Sequence, residues 1–173
     1  MTWVAEYLIV DGYNIINAWP NLKKLARDNL EDARIKLIDI LRDYQGYRGI
    51  HIIVVFDAHM TNVPARSYEE YGDLLVVYTS KNETADHFIE KWVNDNVEKY
   101  NIRVATSDYL EQTIVLSRGA TRISARELRE EILNSKEEIN RVYIEKPKIK
   151  INTLDDRLDP VILEKLEQLR RQT

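Results

Sequence analysis

The feature that most constrains this chain is an alternation of two hydrophobic periods, in which strand-like runs end at or beside an aspartate. Tyr7-Leu8-Ile9-Val10 is a short apolar run that stops at Asp11-Gly12, the pattern of a buried strand. Leu30, Ala33, Leu37, Leu41 and Tyr44 then recur at helical spacing, with Gly46 and Gly49 as closing residues,. Ile50 to Phe56 is a β-branched run with almost no polar break, as expected of a central parallel strand covered on both faces. It runs into Asp57. Leu74 to Tyr78 reads as the next strand, and Ala85, Phe88, Ile89, Trp92, Val93 and Val97 mark an amphipathic helix predicted to begin near Asn82,. Ile102 to Ala105 is a further strand, leading into Thr106-Ser107-Asp108.

Between these elements, Ala58 to Gly72 shows no convincing periodicity, and a structureless stretch of that length inside a compact domain is uncommon and often functional. Leu110 and Ile114, with a stop at Gly119, predict a short helix, and Thr121-Arg122-Ile123 a brief strand. Ser124 followed three residues later by Glu127 is a capping-box pattern opening a helix to about Asn134,. Lys146-Pro147-Lys148-Ile149-Lys150 reads as extended and basic, and Asp159-Pro160 as the cap and first residue of a terminal helix,. Strands alternating with helices predict an α/β fold with a mainly parallel central sheet and helices on both faces. The expected organisation is one domain over residues 1–140, with 141–173 as a basic extended segment and C-terminal helix packed on it or trailing from it.

Bulk properties narrow the setting. No apolar run approaches the roughly 20 residues of a membrane span, and the opening residues lack the basic start of a signal peptide. The chain has no cysteine, so neither disulfides nor thiolate metal sites are available; a cytoplasmic protein with no membrane partner is expected. The net charge is −4, which argues against a generic polyanion binder. Its distribution is uneven: residues 118–150 hold nine basic and six acidic side chains, so phosphates are expected to meet this region.

Asp11, Asp57 and Asp108 each follow a predicted strand, and Asp86 lies near the start of a predicted helix. Parallel strands present their carboxyl ends at one edge of the sheet, where open α/β sheets place their sites. Taken singly, each acid has an ordinary explanation as a turn or cap residue. Together they are costly, because two carboxylates about 5 Å apart repel by roughly 3 kcal/mol at an effective dielectric near 20. Either the groups stay apart, or some are protonated, or cations neutralise them; metal is the better explanation, and an all-oxygen ligand set suits Mg²⁺ or Mn²⁺ rather than zinc. Asn14 is placed to reach a phosphate oxygen or metal-bound water, or else to cap a short turn. Thr106 and Ser107 are candidate donors to Asp108 or to a phosphate, or residues of a structural turn. Glu83 lies close enough in sequence to reach the site. His59 is a candidate substrate contact, whereas His51 and His87 read as structural or exposed.

Asp11-Gly12-Tyr13-Asn14, Val55-Phe56-Asp57-Ala58-His59, Glu83-Thr84-Ala85-Asp86 and Thr106-Ser107-Asp108 together resemble the NYN-domain family of PIN-like nucleases, most closely its YacP-like branch. Arg118-Gly119-Ala120 and Ser124-Ala125-Arg126-Glu127-Leu128 are similar to that branch as well, and the resemblance covers about residues 6 to 135. It implies a Rossmann-like PIN/NYN fold and a metal-dependent endoribonuclease with catalytic, metal-binding acids at Asp11, Asp57, Asp86 and Asp108. It also implies a 5′-phosphate and 3′-hydroxyl product, and a role in mRNA turnover linked to translation with the ribosome as partner. The alternative is a non-catalytic RNA- or ribosome-binding adaptor on the same fold.

For holding RNA, the candidates are Arg118 and Arg122 beside the acids, and Arg66 and Tyr68 in the 58–72 loop, which reads equally as aromatics stacking on unpaired bases or as packing over the sheet edge. Arg126 and Arg129 continue the basic spacing but sit among Glu127, Glu130 and Glu131; a solvated helix face is the alternative reading, and for Arg129 the preferred one.

Overall fold

A computed structural model describes residues 4–57, 65–107, 119–145 and 160–171. The chain divides into two compact units, Met1–Ser135 and Lys136–Thr173, and the sheet lies wholly in the first. In order along the chain come β1 (Glu6–Asp11), α1 (Gly12–Ala18), α2 (Pro20–Asp28), α3 (Leu30–Arg48), β2 (His51–Phe56), β3 (Ser67–Tyr71), β4 (Leu74–Tyr78), α4 (Ala85–Asn96), β5 (Asn101–Ala105), β6 (Thr121–Ile123), α5 (Ala125–Glu145) and α6 (Pro160–Arg171). The described strands form one six-stranded sheet in the order β3-β4-β2-β1-β5-β6. Every pairing is parallel except β3 with β4. This is the mainly parallel α/β architecture expected from the sequence.

The period of two along the strands sorts the core into two layers. Leu8 and Val10 of β1, Ile52, Val54 and Phe56 of β2, and Leu74 and Val76 of β4 face one side, against Ile15, Leu22, Leu37, Leu41 and Leu128 of the helices. Ile9, Ile53, Val55, Val77, Ile102 and Val104 face the other, where Ala85, Ile89 and Val93 of α4 cover them. The central strands β1 and β2 are apolar on both faces because both are covered.

Local chemistry sets most boundaries. Asn29 caps α3 by accepting from the backbone N–H groups of Glu31 and Asp32, and Gly49 ends it in the left-handed region at φ 65°, where a Cβ is disfavoured. Gly46 is an ordinary helical residue instead of a stop. Thr84, not a residue near Asn82, caps α4, its hydroxyl accepting from His87 N–H at 3.2 Å; the Thr side chain satisfies an end group that an apolar pattern does not reveal. Ser124 does the same for Glu127 N–H at 3.1 Å, and α5 then runs on past the expected stop near Asn134 to Glu145, since no Gly or Pro interrupts residues 125–145. Helix α6 starts at Pro160 as expected.

The part of the 58–72 segment that is described corrects the expectation of an aperiodic loop. Ser67–Tyr71 is a strand, joined to β4 through Gly72-Asp73 with Gly72 at φ 63°. Its sequence, Ser-Tyr-Glu-Glu-Tyr, is polar because β3 is the edge of the sheet, with one neighbour among the described strands. Helices α1 and α2 were also not foreseen. They are short, and the entry to α2 is fixed from a distance: Trp19, at its N-cap, donates its indole N–H to the carbonyl of Ala125 at 2.8 Å.

A charged network bridges β5, α3 and α5. The side chain of Arg103 is 16% exposed and pairs with Glu131 at 3.0 Å and Glu6 at 3.3 Å, while the Tyr44 hydroxyl donates to Glu131 at 2.7 Å. Burial raises the Glu131 pKa, but the Tyr44 hydrogen bond and the Arg103 charge outweigh it and hold the carboxyl below its usual range,.

Candidate active site

The carboxyl edge of the sheet collects the motifs. Asp11 is the last residue of β1, in register with Val55 of β2, and Val10 beside it is in register with Ala105 of β5. Asp57 therefore leaves β2, and Thr106-Ser107 leave β5, on either side of Asp11. Asp11 and Asp57 are half-buried. Asp11 also occupies the N-cap position of α1, yet its side chain makes no capping hydrogen bond, so helix capping does not account for the carboxylate.

The chain reverses from β1 directly into α1, which requires a close approach. Gly12 is fully packed under Phe56: a Cβ there would come within 3.0 Å of the ring Cζ and closer still to two other ring atoms. Tyr13 follows, its ring tilted against Phe56 at 5.0 Å and its hydroxyl accepting from Arg34 at 3.0 Å. Burial chiefly raises the Tyr13 pKa; Arg34 opposes this, and the charge of Asp57 adds to it, which places Asp57 within electrostatic reach of α1.

Asn14 joins the two sides. Its Oδ1 accepts from both the backbone N–H of Ser107, at 2.6 Å, and the Ser107 hydroxyl, at 2.7 Å. Asn14 is thus neither a turn cap nor available as an acceptor: what it offers outward is its amide N–H₂. Ser107 is exposed, whereas Thr106 is completely buried, with its N–H bonded to Ile123 O at 3.2 Å. Thr106 lies beneath the edge and Ser107 on it.

Asp57 has a second relationship. Its Oδ2 accepts from the N–H of Ala85 at 3.4 Å, so it stands at the positive end of α4, one residue from Asp86. Asp86 is exposed in the first turn of that helix. Glu83, just before it, is engaged by Arg66, whose Nε donates to Glu83 Oε1 at 3.1 Å and whose second terminal nitrogen pairs closely with Oε2. Arg66 also donates to the Tyr68 hydroxyl at 3.3 Å and lies 5.1 Å over the Phe88 ring. This expected RNA contact is therefore held by protein partners, while the Tyr68 beside it is 52% exposed. Arg122 is exposed on β6, in register with Val104, one residue short of the strand end. Arg126 pairs with Glu130 at 3.2 Å along one helix face.

Asp108, Arg118 and His59 lie outside the described residues, as do the expected helix after Asp108 and the basic 146–150 stretch. Among the described residues no three His, Asp or Glu side chains gather closely enough to form a metal-holding group by themselves. The pairing of Asn14 with Ser107 was not legible in sequence, because the two are 93 positions apart.

A parallel sheet whose carboxyl edge carries Asp11, Asp57 and the Asn14–Ser107 tie, with the start of α4 beside it, defines a nuclease-type Rossmann-like domain. The chain belongs to the YacP-like NYN domain family, whose model matches residues 8–171. It is 41% identical over 172 residues to an uncharacterized protein, YacP, of Bacillus subtilis (strain 168), covering 96% of this chain and 97% of that one. Crystal structures of Rae1 (YacP) from Bacillus subtilis are similar in fold. One matches with a TM-score of 0.68 at 40% identity, covering 95% of this chain and 94% of that one. A mutant form matches with a TM-score of 0.70 at 37% identity, over 95% and 99% of the two chains. None of the described helices is long and apolar enough to cross a membrane.

Proposed function

We propose that this chain is a divalent-metal-dependent endoribonuclease that cleaves messenger RNA in turnover linked to translation, in the cytoplasm and with the ribosome as partner. The observation that carries the reading is the convergence of Asp11, Asp57, Ser107 and the α4 N-terminus at one sheet edge, tied by Asn14. The donors there are oxygens, which fits Mg²⁺ or Mn²⁺. In this reading Asp11 and Asp108 would be the principal ligands, and Asp57 and Asp86 would complete the set, Asp57 directly or through water. Such an ion supplies an activated water and steadies charge on the phosphoryl oxygens.

The chain's own groups then have separate tasks. Asn14, with its oxygen held by Ser107, turns a donor toward a phosphate oxygen. Ser107 fixes the exit of β5 from which Asp108 follows, and Thr106 supports that exit from below. Arg118 and Arg122 meet phosphates beyond the acids, and Tyr68 offers an exposed ring to an unpaired base,. Arg66 serves by anchoring β3 to Glu83.

The test is cleavage of structured RNA, and of messenger RNA on translating ribosomes, with Mn²⁺ or Mg²⁺ and with chelator. Metal-dependent cleavage that is lost in Asp11→Asn supports the reading. RNA binding that ignores chelator, with no cleavage under any metal, establishes the adaptor alternative in its place.

A further inference from the structure

At the opposite end of the strands lies a cleft of about 310 Å³, walled by Tyr7, His51, Leu75 and Trp92 and rimmed by Glu70 and Asp73. The volume is at the lower end of the roughly 300–1,000 Å³ of small-molecule sites. Tyr7 and His51 open β1 and β2, whereas Asp11 and Asp57 follow the other ends of those strands. At about 3.3 Å per residue the cleft is roughly 13–20 Å from the carboxyl edge. It exists because, among the described residues of the first unit, α4 is the one helix packed on this face. A helix about 10 Å across cannot cover six strands spaced about 4.8 Å apart.

The lining is aromatic and acidic. Tyr7 stacks on His51 at 4.7 Å and 19°, and packs against Trp92 at 5.0 Å and Tyr100 at 4.7 Å. Among the described residues, no lysine or arginine lines the cleft. The Asp73 carboxylate lies 3.7 Å from His51 Nδ1, and the Tyr7 pKa is raised by burial first, then by Tyr100 and Asp73, so the carboxylate acts on the aromatic wall itself.

We propose that this cleft is a docking site for an arginine side chain carried on a basic segment of a partner protein. Two carboxylates, with His51 beside one of them and no lysine or arginine among the described lining residues, repel phosphate and select a cation. Planar aromatic walls favour guanidinium, which stacks on a ring while its edge meets a carboxylate in paired hydrogen bonds. Glu70 and Asp73 stand on either side of Gly72 at the rim, and two carboxylates there suit more than one basic residue on one chain. This site is independent of the proposed nuclease edge.

The experiment titrates the ¹⁵N-labelled full chain with a short capped peptide of alternating arginine and glycine, following the Trp92 indole resonance, assigned with Trp92→Phe. Saturable shifts are expected with this peptide and none with its citrulline counterpart. Glu70→Gln with Asp73→Asn, both at exposed positions and with the remaining spectrum unchanged, is expected to weaken binding about tenfold or more. Equal binding of the citrulline peptide, or undiminished binding by the double variant, overturns the proposal. Arginine amide binding as tightly as the peptide replaces the protein partner with a small cation. Shifts produced instead by single-stranded oligouridylate make the cleft a base-stacking site and overturn it too.

Discussion

The amide oxygen of Asn14 takes two hydrogen bonds from Ser107, one from its backbone and one from its hydroxyl, across 93 positions of sequence. The first turn of α1 and the exit of β5 are thereby one unit at the carboxyl edge. The orientation of the Asn14 amide is set by this contact: with the oxygen engaged, its N–H₂ is the group left for a ligand.

Two variants at Asn14 separate support from chemistry. Asn14→Ala removes both bonds and is expected to cost about 1–2 kcal/mol in urea unfolding. Asn14→Asp keeps an oxygen that accepts both bonds, so the stability loss should be smaller. Cleavage should nevertheless fall in both, because Asp offers no donor and adds charge to an acidic edge. A fully active Asn14→Asp would assign Asn14 to structure alone.

Asp11→Asn is expected to remove Mn²⁺-stimulated cleavage while leaving the fold intact. In chelator the variant should match or exceed the parent in stability, by up to about 1 kcal/mol, since a like charge has been taken from the edge. Thermal melts with and without Mn²⁺ check this without an RNA substrate. Saturating metal should raise the parent's Tm by mass action and leave Asp11→Asn unmoved.

Gly12→Ala is expected to destabilise by about 1–3 kcal/mol, because the added methyl meets the buried Phe56 ring,. Pairing it with Phe56→Leu should recover part of the loss. Denaturant midpoints of the two single variants and the double variant give the coupling.

Tyr78 is pushed up to about 12, by burial first and then by the charge of Glu69. A folded-state value above the unfolded one means the contribution is complete below about pH 10 and is lost as pH rises towards 12. Ultraviolet titration of tyrosinate should show a late-ionising residue among the ten tyrosines, absent in Tyr78→Phe. That variant should also unfold less steeply in alkali.

Glu131 behaves in the opposite sense. Its depressed pKa contributes stability above the ordinary glutamate range, and that contribution is lost as pH falls through the folded-state value,. Glu131→Gln should flatten the acid limb of the stability profile below about pH 4.5 while lowering stability at neutral pH, since Arg103 would then lack its nearest carboxylate,. Urea midpoints across the pH range measure both effects.

The strands β1, β2, β4, β5 and β6 were legible because apolar and β-branched runs of strand length bounded by turns have few other uses, and α4 and α5 because caps and helical spacing are local signals. Strand β3 was not: an edge strand buries little, so its residues carry no apolar alternation. Helices α1 and α2 are held by Phe56, Arg34 and Ala125, contacts that local pattern does not record. The candidate site divides along the same line. Sequence alone determined that Asp11 and Asp57 follow parallel strands, and therefore that they share an edge, since a parallel sheet aligns all its carboxyl ends. Only the tertiary structure decided how the polar groups around them are used: Asn14 holding Ser107, Asp57 reaching Ala85, Arg66 taken by Glu83, and Thr106 buried. Those outcomes depend on which side chains meet across large sequence separations, and hydrogen-bond partners at such distances are chosen by packing.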